Sequence, residues 1–310
     1  MIEVGIILSR VLHYTASLIL FGVILFPLYA YPGRAGSTER TNRWLLEAAG
    51  WAALAALLSG LLWFGCVVVS VTDGAPSWDD IQSVLNETFF GEVWIARFVL
   101  VTITLFFIAL RAFSLRGRPN WALAALCAGL VASLAGVGHT QLHEGTDGII
   151  HTIADGLHLL AAGAWLGGLV PLSYLVATAL RAISPNRDVE ASNAALRFSG
   201  MGYVAVAILI GSGLINSWLL VGSFANLIST PYGQLLLAKM LLFVGMLGLA
   251  ACNRFLIVPR LIEANEVGEQ AFILTRLRRH ILVEQALGLF IISIVSALGA
   301  MEPAITSGRP

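Results

Sequence analysis

The chain has 310 residues, 58% of them hydrophobic and 12% charged, with 18 basic and 18 acidic side chains and a formal net charge of +0. A soluble domain carries roughly a quarter charged residues, and zero net charge gives no bulk electrostatic case for a nucleic-acid partner. Apolar runs repeatedly reach the ~20 residues needed to cross a bilayer. The three cysteines, Cys66, Cys127 and Cys252, lie far apart inside such runs, with no CxxC and no pairing signal. The composition predicts an all-α, polytopic membrane protein in which 1–310 forms one transmembrane domain.

Hydropathy predicts eight transmembrane helices, at about 4–30, 44–71, 93–113, 120–138, 150–180, 196–221, 234–257 and 279–300. The first run is too long for a signal peptide and has no cleavage-type ending, so it reads as a retained span. Fourteen of the 18 lysines and arginines fall in alternate loops: Arg34, Arg40 and Arg43; Arg111, Arg116 and Arg118; Arg181, Arg187 and Arg197; and Arg254, Arg260, Arg276, Arg278 and Arg279. The loops 72–92, 139–149 and 222–233 hold none. The positive-inside rule then places both termini on the outer, periplasmic side. Loop 72–92 is acidic, with Asp73, Asp79, Asp80, Glu87 and Glu92, and reads either as a solvated loop or as an attractor of cations. Loop 258–278 reads as a short amphipathic cytoplasmic helix, and the tail 301–310 as unstructured.

An internal repeat runs through the spans. Thr88-Phe89-Phe90-Gly91 leads to Ala96-Arg97, and Thr230-Pro231-Tyr232-Gly233 leads to Ala238-Lys239. His13, Gly22 and Pro27-Leu28 match His158, Gly167 and Pro171-Leu172, and Ser-Gly-Leu recurs at 59–61 and 212–214. Three matches in one order predict a 4+4 parallel duplication, repeat one over about 1–138 and repeat two over about 150–300, with an axis along the membrane normal.

The stretch 139–171 carries four of the six histidines. His151, Asp155 and His158 share a helical face at i, i+4 and i+7, and His139 and His143 share one if their turn is helical. Imidazole suits copper, zinc, iron and nickel, and a carboxylate either completes such a site or fixes a tautomer behind it. His158 and its repeat-mate His13 both lie roughly 12–14 Å deep at 1.5 Å per residue, so His13 joins the candidate metal set. Arg10, Arg97, Lys239 and Asn216 fall in the outer halves of their spans, as second-shell or gating residues. Buried Asp155 calls for Arg10 or Lys239 as partner, while Arg97 and Lys239 read alternatively as snorkelling side chains. Nearer the inner side stand Glu47, His280, Glu284 and Gln285. Cys127 and Cys252 read either as soft ligands or, as buried cysteines usually do, as small hydrophobes. There is no GxSxG, HExxH or Walker loop, and no enzyme is expected.

HLLAAGAWLGGLVPL from His158, RFS at 197–199, TPYGQLLLAK at 230–239 and CNR at 252–254 resemble the CopD family of bacterial copper-resistance membrane proteins. The resemblance covers most of the chain and is clearest over 150–260. It implies a bacterial inner-membrane protein that takes up periplasmic copper, moves it toward the cytoplasm, and works beside a separate small copper carrier of the CopC type. Two other readings compete. His13 and His158, at matched depth on different helices, would suit the axial positions of a b-type haem. A non-transporting docking partner for a periplasmic carrier would need only the outer loops.

Overall fold

The computed structural model describes residues 2–30, 39–72, 75–114, 121–142, 144–182, 185–264 and 266–307. His143, Arg34, Asp73, Arg116 and Arg118 lie outside them. Thirteen α-helices follow one another among the described residues, with no strand: α1 (Ile2–Tyr29), α2 (Glu39–Val71), α3 (Trp78–Glu87), α4 (Phe89–Ser114), α5 (Trp121–Ala132), α6 (Gly145–Ala162), α7 (Leu169–Ala182), α8 (Pro185–Val221), α9 (Phe224–Ser229), α10 (Pro231–Cys252), α11 (Val258–Glu263), α12 (Val267–Leu298) and α13 (Ala304–Ser307).

Seven runs are long and apolar enough to cross a membrane, some of them spanning two consecutive helices: Ile2–Tyr29, Glu39–Val71, Phe89–Arg111, Gly145–Arg181, Glu190–Val221, Pro231–Glu263 and Gly268–Leu298. The expected span at 120–138 is a shorter apolar helix, Trp121–Val137, in which α5 tightens into a 3-10 turn over Ser133–Val137. Three expectations about the connections change. Residues 267–278 are the first turns of α12, not a separate amphipathic helix. The acidic loop contains α3, nucleated by a capping box in which Ser77 and Asp80 exchange hydrogen bonds. Those bonds hold the Asp80 carboxyl below its ordinary pKa. The tail folds into α13 because Ala304 is fully buried in a cluster with Val221, Tyr232 and Leu298.

Two apolar clusters organise the spans. One gathers α1, α2, α4 and α5 around Leu20, Trp63, Trp94 and Leu130. The other gathers α7, α8, α10, α11 and α12 around Leu169, Val176, Met246 and Leu277, with Phe26 of α1 inserted into it. Between them α6 passes into α7 through a π segment, Gly163–Gly167, that crosses α1. A Cβ on Gly22 would collide with the main chain of Gly167, and one on Gly167 with Leu18 O and Gly22 Cα. Only glycine allows that backbone-to-backbone crossing. The crossing is at the π segment, and N-terminal to it α1 and α6 both line one cavity.

The two Thr-x-aromatic-Gly stretches also fold alike. Thr88 Oγ1 accepts from Gly91 N at 3.0 Å, and Thr230 Oγ1 accepts from Gly233 N at 3.0 Å. Each threonine starts a long helix by satisfying an orphan first-turn donor. A Cβ on Gly91 would strike Val84 O and Leu85 O, and one on Gly233 would strike Asn226 O and Leu227 O. Each glycine thus lets a short surface helix, α3 or α9, lie against the start of the span that follows.

Candidate metal-binding pocket

A cavity of about 150 Å³ opens between α1, α6, α8, α10 and α12, and His139, His151, Asp155, His158, Lys239 and Asn216 all line it. Arg10 and Tyr14 close it from α1. The i, i+4, i+7 face of α6 therefore points into a cavity, as its spacing predicts.

Hydrogen bonds set the state of each candidate side chain. Ser212 Oγ donates to Ile208 O at 2.6 Å and so accepts from His158 Nδ1 at 2.9 Å. That fixes the tautomer of His158 and leaves its Nε2 with the free lone pair. Gly213, next to Ser212, packs against the same ring, where an added Cβ would make an ordinary contact 3.5 Å from His158 Cε1. His139 sits in the 3-10 turn His139–Leu142 and donates from Nε2 to Leu298 O at 3.1 Å, leaving Nδ1 as its free nitrogen. Burial holds the His139 pKa below that of an ordinary imidazole; the Leu298 bond opposes it, and the nearby Arg10 guanidinium adds a smaller lowering effect. His151 is 2% exposed.

Asn216 Nδ2 donates to Asp155 Oδ1 at 3.2 Å, and Lys239 and Arg10 are near enough to attract the carboxylate. The one ion pair within 4.0 Å among the described residues is Arg43–Glu39, so neither cation touches Asp155 directly. Asn216 Oδ1 and Arg10 Nε are buried with no hydrogen-bond partner. An orphaned amide oxygen in a cavity of imidazoles is a vacant acceptor. Arg10 also donates from Nη1 to Gly299 O at 3.0 Å. The end of α12 thus turns two carbonyls, Leu298 O and Gly299 O, to the two sides of the pocket, Leu298 O also accepting from Met301 N at 3.1 Å.

Four expected residues, His13, Arg97, Cys127 and Cys252, lie elsewhere. His13 is 3% exposed inside its own half, between Trp63 and Trp94, with ring centroids 5.7 and 5.4 Å away. Its Nδ1 donates to Ala56 O at 2.9 Å and its Nε2 accepts from Arg97 Nη2. Both nitrogens are occupied, so the haem reading finds no free axial ligand there and is not supported. Arg97 is 1% exposed and does not snorkel: Nη1 reaches Leu130 O at 2.8 Å and Ser133 Oγ at 2.6 Å. Ser59, the first-half counterpart of Ser212 in the Ser-Gly-Leu pair, contacts His13 Nδ1 at 3.2 Å. Cys127 is buried in the first apolar cluster, Cys252 is half-buried, and neither lines the pocket. Among the described residues no three His, Cys, Asp or Glu side chains stand close enough to hold a metal ion as they are placed.

Sequence reasoning passed over the role of Asn253. Its Nδ2 donates to Glu284 Oε1 at 2.7 Å and its Oδ1 accepts from His280 Nδ1 at 2.9 Å. The i, i+4 spacing of His280 and Glu284 was the available signal.

Membrane-length helices around a buried pocket of imidazoles, a carboxyl and an unpartnered amide oxygen define a multi-pass membrane protein with a candidate metal site. Residues 1–149 match the family described as copper resistance protein D-like, N-terminal domain, and residues 192–298 match copper resistance protein D. The chain is 30% identical over 297 residues to the inner membrane protein YebZ of Escherichia coli (strain K12), covering 95% of this chain and 97% of that one. It is 29% identical over 305 residues to copper resistance protein D of Pseudomonas syringae pv. tomato, covering 95% and 96%. It is 31% identical over 261 residues to the copper transport protein CutJ of Bacillus subtilis (strain 168), covering 80% of this chain and 46% of that one. No solved structure matches. The chain belongs to the copper resistance protein D family, a family of copper-resistance and copper-transport membrane proteins, and is a multi-pass inner-membrane protein.

Proposed function

We propose that the protein takes copper from the periplasmic side into the pocket around His158 and passes it toward the cytoplasm. The observation that carries this is the convergence of His139, His151, Asp155 and His158 on one cavity, with Asn216 Oδ1 vacant among them. Imidazole nitrogen and carboxylate oxygen are donors that copper accepts. Lys239 and Arg10 compensate the charge of Asp155, and a copper ion replaces them as its partner. His143, beside the pocket in sequence, is the proposed first contact. The names of the relatives from Pseudomonas syringae and Bacillus subtilis support copper as the cargo. A separate CopC-type carrier supplies the ion, and the protein works by binding and movement, without a chemical step.

The architecture proposed with this is eight spans in a 4+4 repeat, both termini outside. Trp121–Val137 supports the eighth span: twelve α-helical residues and five 3-10 residues rise about 28 Å, close to the ~30 Å hydrocarbon thickness. The paired threonine caps, the paired His–Ser contacts and the Gly22–Gly167 crossing support the duplication. Arg10 and Asp155 then occupy matching positions, each three residues before its histidine, and carry opposite charges.

The test is copper accumulation in cells and in sealed proteoliposomes, wild type against a His151→Ala/His158→Ala double variant. The proposal expects uptake by the wild type and little by the variant. Binding without uptake by the wild type supports the docking reading instead, and no copper bound at all sinks both.

A further inference from the structure

The two halves differ at one place where their helices correspond. In the first half α2 packs directly on α4, and aromatic rings fill the contact. Trp63 and Trp94 meet edge to face with centroids 5.2 Å apart, and Phe64 and Phe98 stand 6.2 and 5.3 Å from Trp94. In the second half α8 rests on α6 and α10 on α12, and a cavity of about 190 Å³ is lined by both α8 and α10. The repeat register sets Trp63 against Asn216, Phe64 against Ser217, Trp94 against Leu236 and Phe98 against Met240. Of these four counterparts, Ser217, Leu236 and Met240 line the cavity. Four rings are replaced by four side chains without a ring, and space is left.

That cavity has a lipid end and a polar end. Ile210 and Leu214 of α8 and Met240 of α10 line it and are exposed on membrane-spanning helices, so a molecule dissolved in the bilayer reaches it from the side. At the other end it shares His158 and Lys239 with the outer pocket. Among the described residues no carboxylate pairs with Lys239 within 4.0 Å, so its ammonium has hydrogens to give to a ligand oxygen. His158, on the same wall, lies roughly 12–14 Å deep at 1.5 Å per residue. A charged headgroup is costly at such depth, so the oxygen belongs to an uncharged group. A dry cavity of about 150 Å³ holds one benzene molecule. The about 190 Å³ found here suits one substituted six-membered ring.

We propose that this cavity is a side-entry site for a membrane-dissolved quinone. Its ring takes the space that aromatic side chains fill in the first half, and one of its carbonyl oxygens accepts from Lys239. Trp165 and Phe243, edge to face with centroids 6.0 Å apart, offer the ring an aromatic wall. The tail leaves past Leu214 and Met240 into the bilayer. The register is that of the duplication proposed above, while the cavity, its lateral opening and Lys239 are features of the second half by itself.

The test is binding of decylubiquinone to the purified, copper-free full chain in detergent, against decylbenzene, which has a ring and the tail but no oxygens. A Leu214→Phe/Met240→Phe variant, which refills the opening with rings, measures partition into the micelle, and its fold is read from its elution and thermal midpoint. The wild type is expected to saturate at one equivalent of decylubiquinone above that background. Lys239→Met should weaken it about tenfold, as for loss of one hydrogen bond to a charged group, and leave decylbenzene unchanged. Equal retention by the wild type and the refilled variant overturns the site. Equal binding of the two probes, or an unchanged quinone affinity in Lys239→Met, makes the cavity an acyl-chain pocket and overturns the quinone. If the refilled variant does not fold, the two probes and Lys239→Met decide. With no copper present, each of these results leaves the proposed function standing.

Discussion

Arg97 of α4 donates to Nε2 of His13 on α1, while the other nitrogen of that imidazole is bound to Ala56 O. The pair ties three spans together and is walled by Trp63 and Trp94. Arg97→Met leaves the buried His13 nitrogen without its donor, a cost of about 1–3 kcal/mol. The expected result is a thermal midpoint lowered by several degrees in detergent, with copper affinity at the outer pocket unchanged. A fall in copper binding by the folded variant would place Arg97 in the binding machinery.

The glycine crossing predicts a sharp contrast between positions. Gly167→Val puts a side chain into the main chain of α1 and should cost more than ~3 kcal/mol, read as loss of folded protein on expression. Gly248 has nothing within 4 Å of an added Cβ. Gly248→Ala should be neutral or stabilise by up to ~1 kcal/mol through helix propensity.

Lys239→Met removes a cation that a copper ion must displace from Asp155. Copper affinity is expected to rise, on the order of tenfold, if ~1.4 kcal/mol of competition is removed. Asn216→Leu should lower it by deleting the vacant oxygen. A titration in which both variants matched the wild type would remove these residues from the site.

His139 predicts the pH dependence. Its pKa is held below the ordinary imidazole value, so its free Nδ1 stays unprotonated under conditions that would protonate an exposed histidine. The neutral form is the one that binds metal, and binding is lost as pH falls through the lowered pKa. The stability linkage has the same sign: the unfolded chain takes up the proton first, so stability falls as pH drops below the unfolded value. His139→Gln should weaken copper binding near neutral pH and remove this part of the acid sensitivity, as measured by titrations at a series of pH values.

Topology is checked with single cysteines in a cysteine-free chain. Asn86→Cys in α3 should react with a membrane-impermeant maleimide in intact cells, and Glu269→Cys at the start of α12 only after lysis. The reverse pattern would invert the orientation.

Helix positions were legible because an apolar run of span length has few alternatives. The inward face of α6 was legible too, since His151, Asp155 and His158 follow the helical period. The π segment was not, because GAWLG reads as small-residue packing, and nothing local shows that α1 will press against it. His13 was misleading for a related reason. Depth and repeat register place it level with His158, but the residues that enclose it, Trp63, Trp94 and Arg97, come from other helices. The buried tail escaped notice because one alanine, Ala304, gives no hydropathy signal; its burial comes from Val221, Tyr232 and Leu298, which belong to three other helices.

The carbonyls at the end of α12 latch the pocket through the main chain. Leu298→Ala leaves both oxygens where they are, whereas a Cβ on Gly299 would collide with the Arg10 guanidinium and push it off its carbonyl. Phase, however, is another matter. One residue inserted into the last turn of α12 turns everything beyond it by about 100° around the helix axis. It swings both oxygens away from His139 and Arg10 together, leaving every original side chain in the chain. Gly299→Ala should release the Arg10 side alone, and an indel at this helix end should unlatch both sides of the outer mouth.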